Sequence, residues 1–265
     1  MLWSVTGDGD GGNENAVRGG GVRRAAECYP CWKIFTMVNA AILPTTEEII
    51  KVAEASYDKF REQLDDPEWT LTRTFGKGAD LTEVFVKASV VAGAEDMYLL
   101  KTTYKTSVAR LAALLYPWNP YRQQWDVLLE AGEVIKKFEN DVYVVNHRTK
   151  AKFGLSCRDS VDAVKIVRDG PNLYVSSSCC PSGDVLVPER KGYVRTTQYL
   201  GGYRLVQINE NEVEFSMLFH ADLKLNRMIS FMTSISSMKP KLMNEKTENL
   251  RKAVKNMAVK PEHYG

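Results

Sequence analysis

The pattern of apolar positions begins with one clear amphipathic helix. From Ile49 to Leu64, apolar side chains recur at helical spacing. They follow the segment Thr45-Thr46-Glu47-Glu48, which is typical of a capping box at the start of a helix. Asp65-Asp66-Pro67 ends the pattern, because proline lacks the backbone donor that a helix interior needs. The sequence therefore predicts a helix over residues 45–64.

Over roughly the next 160 residues, the chain contains runs rich in β-branched and aromatic residues with an alternating pattern, which predicts strands. Three runs, 69–75, 82–91 and 97–105, are followed by two short helices at 108–116 and 121–129. Six further runs are expected at 134–138, 142–149, 160–168, 173–179, 192–208 and 213–223. The fifth of these six is expected to bend at Gly201-Gly202, and short Gly- and Asn-containing connections favour antiparallel pairing.

The last predicted element is a long amphipathic helix over residues 226–257, which Pro240 is expected to kink. An antiparallel sheet with one apolar face needs a cover, and such a helix supplies one. The order of elements predicts an α+β fold with one curved antiparallel sheet of about nine strands. The methionines on the helix fit either an adaptable cavity wall or an ordinary core.

Composition divides the chain into a polar extension and a globular domain. Residues 1–44 open with a stretch rich in Gly, Asp and Asn, which buries too little apolar surface to offset its ordering entropy, so we expect the extension to be poorly ordered. Residues 45–260 are expected to form one domain. The formal net charge of +2 over 265 residues is too small to indicate a nucleic-acid partner.

The protein is expected to be a monomer that is located in the cytoplasm and makes peripheral contact with membranes. The first ten residues lack the cationic and apolar regions of a secretory signal, and the longest nearly apolar run, 34–43, is too short to span a bilayer. The five cysteines show no framework spacing, which fits a reducing compartment.

Positive charge is concentrated at the predicted terminal helix. The segment from Leu223 to Lys260 carries a net charge of +7, so the rest of the chain carries −5. A basic amphipathic helix favours reversible contact with an anionic membrane, and we expect Lys239, Lys241 and Lys246 to make that contact. An ordinary solvated helix face is the alternative.

Five short motifs, taken in order, resemble those of START (StAR-related lipid-transfer) domains. They are Trp125-Asp126, Arg158-Asp159-Ser160-Val161-Asp162, Gly192-Tyr193-Val194-Arg195, Phe219-His220-Ala221-Asp222-Leu223 and Asn249-Leu250-Arg251-Lys252-Ala253-Val254. The sequence is most similar to the small single-domain cytosolic group that handles sterols and bile acids. It departs from the family at Ser160, where an aromatic residue is usual, and at 224–228, where a G-x-L-P segment is missing.

The resemblance implies a helix-grip fold with a lipid cavity between the sheet and the terminal helix, and a carrier of one sterol-like lipid with no catalytic residues, cofactor or metal. The family's cavity arginine falls at Val164, which argues against a phospholipid headgroup at that position. Asp162 and His147 are the candidates to bind a ligand hydroxyl. The predicted cavity and lid residues are Val145, His147, Ser160, Asp162, Val164, Ile166, Met228, Met232 and Ile235.

Other functions remain open at this point. A lipid-sensing adaptor without transfer activity, a carrier of bile acids or other small hydrophobic ligands, and a small-molecule enzyme on the same fold are all compatible with the resemblance. The segment 7–12 matches the dinucleotide-binding motif G-x-G-x-x-G, but no predicted strand precedes it, so a dinucleotide site is not predicted. Cys28 and Cys31 form a single C-x-x-C without the second pair that a zinc site needs. The chain has only three histidines and lacks the G-x-S-x-G motif of many hydrolases, so the sequence gives no support for a hydrolase.

Overall fold

The computed structural model describes residues 43–152, 155–225 and 235–264. The chain divides into two units, Met1–Ala40 and Ala41–Gly265, and every described residue belongs to the second. Apart from residues 43 and 44, the extension expected to be poorly ordered lies outside the described residues. The predicted domain boundaries at 45 and 260 remain predictions.

The first helix, α1 (Thr46–Leu64), forms where the pattern predicts it. The Thr45 hydroxyl accepts a hydrogen bond from the Glu48 N–H at 3.1 Å, and the Glu48 carboxylate accepts one from the Thr45 N–H at 2.8 Å. These two bonds complete the capping box that the sequence indicates.

The strands form one ten-stranded sheet, which confirms the α+β prediction. They are β1 (Thr70–Phe75), β2 (Thr82–Lys87), β3 (Met97–Tyr104), β4 (Leu129–Lys137), β5 (Val142–Thr149), β6 (Cys157–Asp169), β7 (Asn172–Cys179), β8 (Tyr193–Arg195), β9 (Thr197–Asn209) and β10 (Glu212–Asp222). Nine of them follow the order β1-β2-β3-β10-β9-β7-β6-β5-β4 with antiparallel neighbours, and β8 pairs in parallel with β6.

The remaining helices are α2 (Val108–Leu115), α3 (Arg122–Trp125), α4 (Gly183–Leu186) and α5 (Ile235–Asn256). Single 3-10 turns occur at Gly78–Asp80 and Pro261–His263. The predicted start of the terminal helix, at 226–234, lies outside the described residues. None of the described helices combines the length and the apolar character needed to cross a membrane.

Several boundaries differ from the sequence prediction, and among them β4 begins at Leu129 rather than at residue 134 and β6 at Cys157 rather than at residue 160. The second strand ends at Lys87 rather than at residue 91, and the segment predicted to be helical up to 129 is a single turn before β4. The run predicted at 192–208 is two strands, β8 and β9, which separate at Thr196. The N–H and hydroxyl of Thr196 both donate to the carbonyl of Asp159, and this double contact interrupts the strand.

The sheet carries a different cover on each of its two faces. Helix α1 packs on one face, where Phe60, Leu64 and Leu218 are buried. Neighbouring side chains on a strand point to opposite faces, so Met217 belongs to the other face. That face meets helices α2 and α5 in the largest apolar cluster among the described residues.

Gly202 on β9 allows α1 to lie close against the sheet. A side chain at this position would come within 2.9 Å of the Phe60 ring and 2.1 Å of the Val175 carbonyl oxygen. Strand β9 continues through Gly201 and Gly202 with its pairing unbroken, and the predicted bend at these glycines stays a prediction. The glycine at 202 serves a close packing contact.

Candidate functional site

A cavity of about 270 Å³ lies between the sheet and the helices on its second face. Strands β5, β6, β7, β9 and β10 supply one side, and α2, α3 and α5 supply residues of the other. The volume is close to the lower end, about 300 Å³, of the range usual for small-molecule sites. Most of the wall is apolar and includes Leu115, Trp118, Leu173, Leu205 and Met217.

A carboxylate with one free oxygen lies in the cavity wall. The Oδ2 atom of Asp162 accepts a hydrogen bond from the Ser160 hydroxyl at 2.7 Å and lies 3.1 Å from Nδ1 of His147. The Oδ1 atom is buried and has no hydrogen-bond partner among the described residues. A buried acceptor without a donor is costly, by about 1–3 kcal/mol, so this oxygen is suited to receive a donor from a ligand. We call Ser160, Asp162 and His147 the Asp162 centre.

The pairing of β5 with β6 brings these three side chains together. His147 lies directly opposite Ser160, and Val145 lies opposite Asp162, in an antiparallel register. Residues two apart on a strand share a face, so Ser160, Asp162 and Val164 point the same way. Asp162 is only 2% exposed, because the neighbouring strands and the opposite wall of the cavity enclose it.

The structure brings together four of the nine residues expected to line the cavity. His147, Ser160, Asp162 and Val164 line it. Val145 and Ile166 share the same face but are packed into the adjacent apolar core, so they support the wall without lining the cavity. Met228 and Met232 lie outside the described residues. Ile235 begins α5, and its side chain is not described.

A second polar group in the wall was not predicted. Arg122 donates to Oδ2 of Asp126 at 3.3 Å and to the Leu115 carbonyl at 3.0 Å. Lys246 of α5 lies 3.4 Å from the same Asp126 oxygen and donates to the Tyr203 hydroxyl at 3.2 Å. Two cations and one carboxylate give the group a net charge of +1. We call Arg122, Asp126, Tyr203 and Lys246 the Arg122 cluster.

The charges in this cluster alter its acid–base properties. Burial opposes ionisation of Asp126, but Lys246 and Arg122 outweigh burial and lower its pKa to about 2. Burial also raises the pKa of Tyr203, and the same two cations reverse that effect and leave it lowered. The cluster therefore presents ionised Asp126 between two cations at neutral pH.

Two of the three lysines predicted to dock on a membrane face inward. Lys239 is 4% exposed, pairs with Glu95 and lies 5.2 Å from the centre of the Tyr98 ring. Lys246 lies in the cavity wall. Lys239 is buried against its counter-ion, and the partly exposed Lys246 side chain is directed towards Asp126 and Tyr203, so the structure places neither lysine where the docking prediction expected it. Lys241 is exposed, as the docking prediction requires.

Two of the motifs that resemble START domains are joined by a structural ion pair between Asp159 and Arg195. Arg195 donates to both carboxylate oxygens of Asp159, at 2.9 and 2.8 Å, and also contacts Asp184. Arg158 donates to the carbonyl oxygens of Leu223 and Ser156. Arg158 and Asp159 line the cavity, but they and Arg195 are occupied with protein partners, so they hold β6, β8 and the end of β10 together.

The sequence does contain a signal for the missed cluster. One helical stripe of α5 contains Lys239, Met243, Lys246 and Leu250, whose neighbours are three or four residues apart. Both lysines therefore belong to the inward face of α5. Arg122 and Asp126 are four apart beside the Trp125-Asp126 motif. The Trp125 indole itself donates to the Leu114 carbonyl at 2.9 Å and is structural.

The profile of the START domain matches residues 50–255, which is most of the chain. The chain belongs to the START domain family. Human StAR-related lipid transfer protein 5 superposes on this START domain with a TM-score of 0.69 at 22% identity, covering 80% of this chain and 98% of that protein. Human STARD10 gives a TM-score of 0.59 at 17% identity, with coverage of 79% and 80%.

A bacterial lipid-transfer fragment from Xanthomonas axonopodis also superposes on the START domain, with a TM-score of 0.53 at 18% identity over 71% of this chain and 99% of the fragment. At these identities the likeness shows the fold alone. No curated protein sequence matches the chain. Within the described residues, no group of three or more His, Cys, Asp or Glu side chains is placed to hold a metal ion.

Proposed function

We propose that this START domain binds one small hydrophobic lipid in its cavity and transfers it between membranes, with a sterol-like molecule as the favoured cargo. The observation that carries the proposal is the unpartnered Oδ1 of Asp162 in a mainly apolar wall. A molecule that is apolar over most of its surface and carries one hydroxyl donor complements such a wall.

The physical chemistry of such a cargo calls for an enclosed carrier. A lipid that removes several hundred Å² of apolar surface from water gains on the order of 10 kcal/mol, at ~25 cal/mol per Å². Dissociation into water is then too slow to deliver the lipid, so release requires contact with a membrane and movement of a gate. The terminal helix and the loop over 150–157 are the proposed gate.

A ligand with a carboxylate, such as a bile acid, is the second candidate, and the Arg122 cluster favours it. Arg122 and Lys246 outnumber Asp126 and give this part of the wall a local charge of +1, which an anionic group would balance. Val164 occupies the position that the resemblance assigns to the family's arginine, so that position has no cation, but Arg122 and Lys246 lie elsewhere in the cavity. The argument against a charged headgroup therefore applies to the Val164 position only.

Membrane contact is proposed to use a different set of lysines from the one expected. Lys241, Lys252 and Lys255 are exposed and form no ion pair among the described residues. At 3.6 residues per turn, the three fall on one side of α5. An anionic membrane surface would attract this stripe by about 1 kcal/mol per lysine.

The setting of this activity is proposed to be the cytoplasm, with the protein acting as a monomeric carrier and not as an enzyme. The thiols of Cys157, Cys179 and Cys180 form no disulfide, which suits a reducing compartment. A binding role needs no reacting group among the polar side chains of the cavity.

The test is binding and exchange by the purified full-length chain. Mass spectrometry of lipids that co-purify with the protein identifies the cargo class. A fluorescent sterol and a fluorescent bile acid are then transferred between donor and acceptor vesicles. Faster sterol exchange supports the proposal, and exchange of the bile acid alone supports the second candidate. Binding without exchange indicates a sensor, turnover indicates an enzyme, and no binding of either probe overturns the proposal.

A further inference from the structure

A second, more open cleft lies behind the end wall of the cavity. Three residues, Ala112, Tyr116 and Leu173, line both spaces. The outer cleft is otherwise formed by the start of α2, the turn between β6 and β7, and Tyr264, with polar side chains of Ser107 and Gln207 at its edge. We call this space the outer cleft. It is separated from the cavity by the thickness of these side chains.

Tyr116 is the largest of the three dividing side chains, and its position is fixed from several sides. Its N–H donates to the Ala112 carbonyl at 3.0 Å, which ends α2. Its ring stacks on Trp118 at 4.9 Å, and Trp118 stacks on Tyr143 of β5 at 5.0 Å. The intervening Pro117 rests against Gly132, where an added side chain would come within 2.2 Å. These contacts fix the position of the Tyr116 ring in the wall.

The hydroxyl of Tyr116 does not explain the presence of tyrosine at this position. The side chain is 6% exposed, and its oxygen is buried without a hydrogen-bond partner among the described residues. Burial raises the pKa of Tyr116 to about 12, so the phenol is neutral. The ring, and not the polar atom, fills the space between the cavity and the outer cleft.

We propose that Tyr116 ends the ligand cavity and sets the length of lipid that the protein accepts. A compact lipid fits in front of the ring, and a longer chain meets it. Removal of the ring joins the cavity to the outer cleft and admits longer chains, whose far end would emerge beside the polar edge of the outer cleft. This inference rests on the proposed function, because it assumes that the cavity holds a lipid.

The experiment measures dissociation constants by calorimetry for saturated fatty acids of increasing chain length, with a fluorescent sterol as a separate probe. Each methylene that enters the site improves Kd by about fourfold, and the gain stops where the chain meets the wall. In Tyr116→Ala the gain should continue for several further carbons. Tyr116→Phe keeps the ring and should stop at the same length as the wild type. Leu173→Ala opens the wall from its other side and serves as the second variant if Tyr116→Ala unfolds.

The outcomes separate the two proposals. Sterol or fatty-acid binding with an unchanged length limit in both alanine variants overturns the role of Tyr116 and leaves the proposed function standing. Failure of the wild type to bind either class of probe overturns the proposed function, and the inference falls with it. A longer limit in either alanine variant, with Tyr116→Phe unchanged, supports the inference.

Discussion

Lys246 on α5 lies 3.4 Å from the carboxylate of Asp126 at the end of α3. The terminal helix therefore contributes a cation to the cavity wall, on the side opposite to the one that would meet a membrane. Arg122 approaches the same carboxylate oxygen from the other direction, at 3.3 Å. The helix is joined to the domain through charge as well as through its apolar stripe.

The pKa of Asp126 predicts how stability depends on pH. Folding lowers this pKa from 3.8 to about 2, and the stabilisation is fully present above about pH 5, about half lost by pH 3, and lost as the pH falls through 2. Asp126→Asn should lower the free energy of unfolding at pH 7 by at least about 2 kcal/mol, measured by urea denaturation. The difference from the wild type should shrink on acidification.

The matched control for this change is Asp58→Asn, on the exposed side of α1. It should alter the free energy of unfolding by less than about 0.5 kcal/mol. An Asp126→Asn variant as stable as the wild type at pH 7, or a difference that does not vary with pH, would contradict the assignment of this ion pair.

Asp162 should determine the preference for a ligand hydroxyl. We expect the wild type to bind a 3-hydroxysterol about tenfold more tightly than its 3-methoxy analogue, since only the hydroxyl donates to Oδ1. Asp162→Asn should reduce that preference, because the acceptor loses its charge. Competition against a fluorescent sterol measures both ligands.

A control for Asp162 is Thr149→Val, which removes another polar group from the cavity wall. The ratio of hydroxyl to methoxy binding should stay at its wild-type value in this variant. Equal binding of the two sterols by the wild type would remove Asp162 from the binding site.

The exposed lysines of α5 should govern transfer to charged membranes. Reversal of Lys241, Lys252 and Lys255 to Glu is expected to slow sterol transfer to anionic vesicles by at least tenfold and to leave transfer to neutral vesicles unchanged. About 1 M salt, where the screening length is about 3 Å, should abolish the difference. Vesicle exchange assays measure these rates.

The same number of reversals elsewhere on the protein provides the control. Lys51, Lys59 and Lys77 are exposed on α1 and in the turn after β1. If their reversal slows transfer as much as the change on α5, the effect is one of net charge, and the proposed docking stripe is wrong.

Two adjacent glycines of β9 should differ in their tolerance of alanine. Gly202→Ala places a side chain against the Phe60 ring and the Val175 backbone, and should cost about 1–3 kcal/mol of unfolding free energy. At Gly201 the added side chain meets the end of Gln198, which can move, so Gly201→Ala should cost less. Thermal and urea denaturation compare the two, and equal losses would contradict the packing role of Gly202.

The elements with strong local signals were predictable from sequence. Helix α1 was predicted to within one residue because its capping residues and apolar spacing agree, and β5 was predicted at its observed bounds. The separation of β8 from β9 was not, because it depends on the contact of Thr196 with the distant backbone of Asp159. These two residues are 37 positions apart, and a contact of this kind produces no periodic pattern in the sequence of either segment.

Some of the cavity residues were also predictable from the sequence, and others were not. The alternation of β6 correctly placed Ser160, Asp162 and Val164 on one face, because strand geometry fixes that relationship. Lys239 and Lys246 were assigned outward from their charge alone, although they follow the apolar stripe of their helix. That prediction relied on charge and not on periodicity. In the structure both lysines point inward, towards the carboxylates of Glu95 and Asp126.

Two of the ion pairs of α5 reach segments that lie beside well-separated strands of the sheet. Glu95, the partner of Lys239, precedes β3, the third strand from one edge, whereas Asp126, the partner of Lys246, precedes β4 at the other edge. The helix thus acts as a brace between these two segments. Its displacement would free both of them at once, so widening of the binding space and loosening of the surrounding domain would be one concerted event.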